Sequence, residues 1–160
     1  MPAFGVLLAV LILGPSTATA NTATLTGTWR SAVDETLLSS QFDESVWGKD
    51  AKSTRVVEMA IKSAGEATLT VTRKILDARG REIRAATSIE HAEVSIGAVQ
   101  HMIDVRSDLA VTVKNAERRY PDDPAGTWQL DGLRVTVSTF SNDPSRIEVR
   151  VDTPEGRGSF

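Results

Sequence analysis

The chain has 160 residues, 41% hydrophobic and 24% charged, with a net charge of −3 and no cysteine. This is the composition of one globular domain, and it excludes collagen-like repeats, an acidic disordered tail and a multi-span membrane protein. The two signs of charge are interleaved, so there is no basic footprint for nucleic acid. Without thiols the chain is neither a disulfide scaffold nor a cysteine-anchored lipoprotein.

Met1 to Ala20 has the pattern of a secretory signal peptide. Phe4–Leu13 is apolar but too short to cross a bilayer. Gly14 and Pro15 break it, and Ala18-Thr19-Ala20 supplies a small-x-small cleavage site. The organisation expected is a cleaved signal over 1–20, one domain over 21–153 and a flexible tail over 154–160. The location expected is periplasmic or extracellular. With no cysteine and no Asn-x-Ser/Thr acceptor after Ala20, a bacterial envelope fits better than an animal secretory route. Phe160 ends the chain as in many outer-membrane barrels, but aromatics are only 5%, too few for two lipid-facing girdles. Membrane insertion is therefore not expected.

After residue 21 the pattern is mostly period two and rich in Thr, Val and Ile, which predicts strands buried on one face. The first strand covers 25–30. A short helix follows, opened by Ser31 to Asp34 as a capping box, with Val33, Leu37, Leu38 and Phe42 at helical spacing. Strands are then predicted at 55–62, 67–76, 82–90, 92–96, 99–105, 109–116 and 146–152. The last two of these flank a hairpin over 127–139 that reverses at Asp131-Gly132. Residues 92–105 can also be one strand bent at Gly97. The fold class is all-β: an antiparallel up-and-down meander of about eight or nine strands closed into a barrel. A two-sheet β-sandwich is the alternative.

No catalytic constellation stands out: there is no Gly-x-Ser-x-Gly and no His-Glu-x-x-His. His91, Glu93 and His101 share a parity, but the two histidines would stand roughly 30 Å apart on an extended strand. No metal site and no cofactor are expected. Tyr120-Pro121-Asp122-Asp123-Pro124 is a rigid acidic corner with too few oxygens for calcium. Gly156-Arg157-Gly158 lacks the strand–turn–helix context of a phosphate loop. The candidates for ligand contact are Trp29, on the first strand at the closed end of the barrel, Phe42, Trp47 and Trp128, near a rim or lid, and Arg73. Arg73 is the charge that the alternation of Leu69, Val71 and Ile75 turns inward. It either binds a carboxylate or pairs with an acidic residue at the barrel mouth.

Leu25-Thr26-Gly27-Thr28-Trp29-Arg30 resembles the Gly-x-Trp first strand of the calycin group: lipocalins, fatty-acid-binding proteins and avidins. With the following connection and Phe42-Asp43-Glu44 it looks most like the start of a fatty-acid-binding barrel. The resemblance implies a closed barrel around a small apolar ligand. It also implies a late basic residue packed over the motif tryptophan, for which Arg150 or Arg146 stands in place. The Arg-x-Tyr that holds the carboxylate in fatty-acid carriers is broken here by Asp152. The function expected is an exported, lipocalin-like module that binds a small apolar molecule. The alternative is an envelope interaction or structural module, such as an inhibitor, chaperone or assembly factor, with a filled barrel and a protein partner. A third reading is an enzyme that isomerises or cyclises an apolar substrate by shape.

Overall fold

Alternation in the sequence becomes ten antiparallel strands in a computed structural model that describes residues 25–38, 47–103, 106–153 and 156–159. The strands are β1 (Gly27–Arg30), β2 (Asp34–Leu37), β3 (Lys52–Ile61), β4 (Glu66–Leu76), β5 (Ser88–Ile103), β6 (Arg106–Tyr120), β7 (Asp123–Gln129), β8 (Arg134–Phe140), β9 (Asp143–Thr153) and β10 (Gly156–Ser159). The proposed signal peptide over 1–20 and Phe42 lie outside the described residues.

The sheet is a meander in the order β1-β3-β4-β5-β6-β8-β9-β10, with β2 paired to β3 and β7 paired to β6. It curls into a nearly closed barrel, as the period-two pattern predicts, and not into a two-sheet sandwich. β1 pairs with residues 58–61 of β3 and β2 with residues 52–55, so β1 and β2 form one interrupted strand. β7 and β8 divide β6 in the same way.

Three local expectations are corrected. The helix expected to open at Ser31–Asp34 does not start there: Asp34–Leu37 is strand β2, and the described helical residue of this connection is Trp47. Its helical spacing has no apolar surface to meet, since Val33 and Leu37 are 65% and 58% exposed. Instead Asp34 and Glu35 reach Arg55 and Lys52 on β3 at 2.8 and 2.6 Å. The Ser31 hydroxyl accepts the Val57 N–H rather than capping a helix. Second, Asp131-Gly132 is not a hairpin reversal. Both β7 and β8 are antiparallel to β6, so the chain continues in one direction across this turn. Third, Gly156–Ser159 is paired to β9 rather than trailing as a tail.

The core lies on the inner faces of β3, β4, β5, β6, β8 and β9. Met59, Leu69 and Val137 are the largest fully buried apolar side chains, and Val57, Val71, Val94, Ile96, Leu109, Val149 and Val151 surround them. They fill the middle of the barrel with side chains, one of the two possibilities for eight strand positions. Gly65 fixes one end. It has φ +79°, and a Cβ there would stand 2.6 Å from the Ile96 carbonyl oxygen. Its own carbonyl accepts the Ile96 N–H at 2.8 Å.

Parity changes once within β6. Opposite His91 and Glu93 the strand carries an extra residue, and Asn115 there has φ 47°. This is a β-bulge with its Asn in the left-handed region, where Asn is tolerated best after Gly. Leu109, Val111 and Val113 face the core before the bulge; Ala116, Arg118 and Tyr120 share the inner face after it. The outer face has its own polar cluster, in which Arg106 and Asp108 bridge to Ser138 at 2.8 and 2.6 Å and tie β6 to β8.

Candidate functional site

Where the apolar packing stops, the inner face turns polar and opens. At this mouth a cleft of about 480 Å³ is bounded by β2, the starts of β3 and β5, the ends of β4 and β6, and the 3-10 turn Arg84–Ala86. Odd residues of β3 and β4 point inward, so Ser53 and Arg55 face Ile75 and Arg73 across the ladder. Even residues of β5 do the same, which brings in Ser88 and Glu90. The bulge at Asn115 places Arg118 and Tyr120 beside them. Leu38, Trp47, Ala85 and Ala86 give the rim an apolar border.

Glu90 is the electrostatic centre of the cleft and is only 4% exposed. Its Oε1 accepts from Arg118 Nε at 3.1 Å and Nη2 at 2.7 Å. Arg73 Nε stands 3.6 Å from the same oxygen, an ion pair too long for a hydrogen bond. That Nε–H is buried and has no hydrogen-bond partner among the described residues. On the other side Arg55 Nη2 donates to Asp34 at 2.8 Å. Burial holds the Arg55 guanidinium below its usual range; Asp34 opposes this, while neighbouring Arg73 pushes it further down.

The candidate residues separate in space. Arg73 and Trp47 meet in the mouth. Trp128 is opposite Arg118 in the β6–β7 register, but it is 52% exposed and meets the cleft only through an edge-on contact with Tyr120, with centroids 5.1 Å apart. Trp29 belongs elsewhere. It packs against the core and donates its indole N–H to the Leu25 carbonyl at 2.9 Å. It lines a smaller crevice of about 190 Å³ where β1 and β3 face Arg146, Ile147 and Val149 of β9. So Arg146 shares this crevice, although its guanidinium lies over Phe140 at 4.9 Å; Arg150 pairs across to Thr136 on β8. His91 contacts Thr70 and Glu93 accepts from Asn115, and no group of three metal-binding side chains occurs among the described residues.

Arg55, Glu90 and Arg118 are the site residues that sequence reasoning missed. No protein-family model, curated protein or solved structure matches this chain. The arrangement can hold a small molecule with an apolar body, and it offers guanidinium donors to a polar group.

Proposed function

We propose that the protein is an exported carrier or receptor of small molecules, of calycin-like architecture, that binds an apolar ligand in the mouth of its barrel. The observation that carries this reading is the mouth cleft of about 480 Å³, within the size range of small-molecule sites, with an apolar rim and convergent polar groups behind it. In this reading the ligand sits at the opening, beside the packed core of Met59, Leu69 and Val137. The leader-like Met1–Ala20 supports export, and the Gly-x-Trp of β1 supports the calycin likeness.

The test uses N-phenyl-1-naphthylamine, a neutral apolar dye that brightens when it leaves water. The purified protein is expected to bind it with saturation. Ser53→Trp, which fills the mouth, is expected to abolish that binding with the fold intact by circular dichroism. Absence of saturable binding overturns the reading. The exposed Val33, Leu37 and Trp128 would then favour docking of a protein partner.

A further inference from the structure

We propose that the barrel also binds an extended segment of a partner polypeptide, added as a strand in the seam between β1 and β9. The segment alternates apolar with acidic residues. This site is separate from the mouth and does not depend on what the mouth binds.

Strand direction leads to this. Every step of the sheet from β1 through β3, β4, β5, β6 and β8 to β9 is antiparallel, so β1 and β9 run the same way where the barrel curls shut. These strands cannot close on one another without a parallel pair. One more strand between β1 and β9 makes the ring antiparallel throughout. β10 begins that strand position. It is antiparallel to β9, but Gly156–Ser159 covers only residues 150–153. Beside the rest of β9, and along the outer edge of β1, no strand follows among the described residues.

The backbone of β1 is set to receive it. The Ser31 N–H donates to the Val57 carbonyl, so by alternation Gly27 and Trp29 also turn their backbone groups to β3. The N–H and C=O of Thr28 and Arg30 then point into the seam, as a template for strand addition. A slot with a strand edge on each side takes one extended segment and not the whole edge of a second barrel.

The side chains specify the segment. Trp29, Val57, Met59, Ile147 and Val149 line a crevice of about 190 Å³ at the seam, and they accept apolar side chains spaced two apart. Arg30 and Arg146 line the same crevice, and no carboxylate does among the described residues. Arg30 stands opposite Glu58 in the β1–β3 register but forms no ion pair with it, and Arg146 lies over the Phe140 ring. The outward side chains of an added strand come between these two guanidiniums, which attract acids and repel bases.

The experiment titrates the protein with fluorescein-labelled Glu-Val-Glu-Ile-Glu-Val-Glu. Saturable binding is expected, with slowed hydrogen exchange at the Thr28 and Arg30 amides. Three control peptides are each expected to bind at least ~10-fold more weakly: the same residues in block order, lysine in place of glutamate, and N-methylation of the valines and isoleucine. Arg30→Glu combined with Arg146→Glu is expected to reverse the preference between the glutamate and lysine peptides. The same variant is expected to leave binding of N-phenyl-1-naphthylamine unchanged. Absence of saturable peptide binding, or equal binding of the N-methylated peptide, overturns the proposal. So does competition between peptide and dye, which would place the peptide in the mouth. Equal binding of the lysine peptide overturns the acidic preference. If the arginine variant loses its fold, the comparison of peptides on the native protein decides alone.

Discussion

Arg55 and Arg73 face each other directly across the β3–β4 ladder, both turned toward the open end of the barrel. A purely structural pair at this position would carry opposite signs, because like charges there cost stability. Arg73→Gln is therefore expected to stabilise the fold by a few tenths to about 1 kcal/mol. Thermal or denaturant unfolding of the variant checks this. A loss of about 2 kcal/mol or more would show instead that the ion pair of Arg73 with Glu90 is what the fold needs.

Glu90 behaves in the opposite way. Its carboxylate is buried and holds Arg118, whose own side chain is 15% exposed. Glu90→Gln removes the negative charge and leaves a guanidinium in low dielectric. The expected cost is about 3–5 kcal/mol, the usual penalty for breaking a buried pair by deleting one partner. Glu90→Gln combined with Arg118→Met is expected to cost less than the sum of the two single changes, since the pair is then removed as a unit. Denaturant midpoints of the four proteins form the cycle, and strict additivity would show that the two residues do not act as a pair.

The turn that carries one side of the mouth is sensitive to acid. The backbone N–H of Arg81 donates to Asp77, and the Arg81 side chain and the N–H of Arg79 add to this, so the carboxyl is held below its ordinary value despite some desolvation. A carboxylate with a depressed folded pKa contributes stability that is complete above its unfolded value, about 4. That contribution is lost as pH falls through the lower folded value. The Lys74 ammonium acts likewise on Glu82, with help from Thr87. Asp77→Asn is expected to flatten the acid limb of the unfolding midpoint below about pH 4 and to leave its shape near neutrality unchanged. An acid limb as steep as that of the unaltered protein would show that Asp77 has no part in it.

The strands and their inner faces were legible because alternation is long and uninterrupted in β4, where Leu69, Val71, Arg73 and Ile75 turn the same way. Arg73 was found on that ground. Arg55 and Glu90 obey the same rule on β3 and β5, and carrying parity from Val57 or Ala92 to the strand end would have found them. Arg118 and Tyr120 could not be found so, because the extra residue at the Asn115 bulge inverts the pattern midway through β6. The Asp131-Gly132 signal misled for a related reason: local turn chemistry does not distinguish a reversal from an interruption, and only pairing with β6 decides it. Around β2, Val33 and Leu37 have helical spacing, but the cations waiting on β3 select a strand.

The bulge thus decides which side chains of β6 enter the mouth, and it can be tested directly. Asn115 has φ 47°, a conformation that Asn tolerates and that a β-branched residue adopts only with strain. Its Nδ2 also donates to Glu93 at 2.8 Å, across to β5. Asn115→Gly is expected to keep the backbone and to change stability by less than about 1 kcal/mol. Asn115→Val is expected to cost about 1–2 kcal/mol through the left-handed backbone. Deleting Asn115 removes the extra residue, so residues 116–120 shift by one and exchange faces. Arg118 then leaves Glu90, and Glu117 or Arg119 turns toward the cleft in its place. The deletion is expected to destabilise the fold by an amount like that of Glu90→Gln and to abolish ligand binding at the mouth. Denaturant unfolding and dye titration of the three variants provide the check. Unimpaired dye binding after the deletion would mean that the inner-face position of Arg118 and Tyr120 is not what shapes the site.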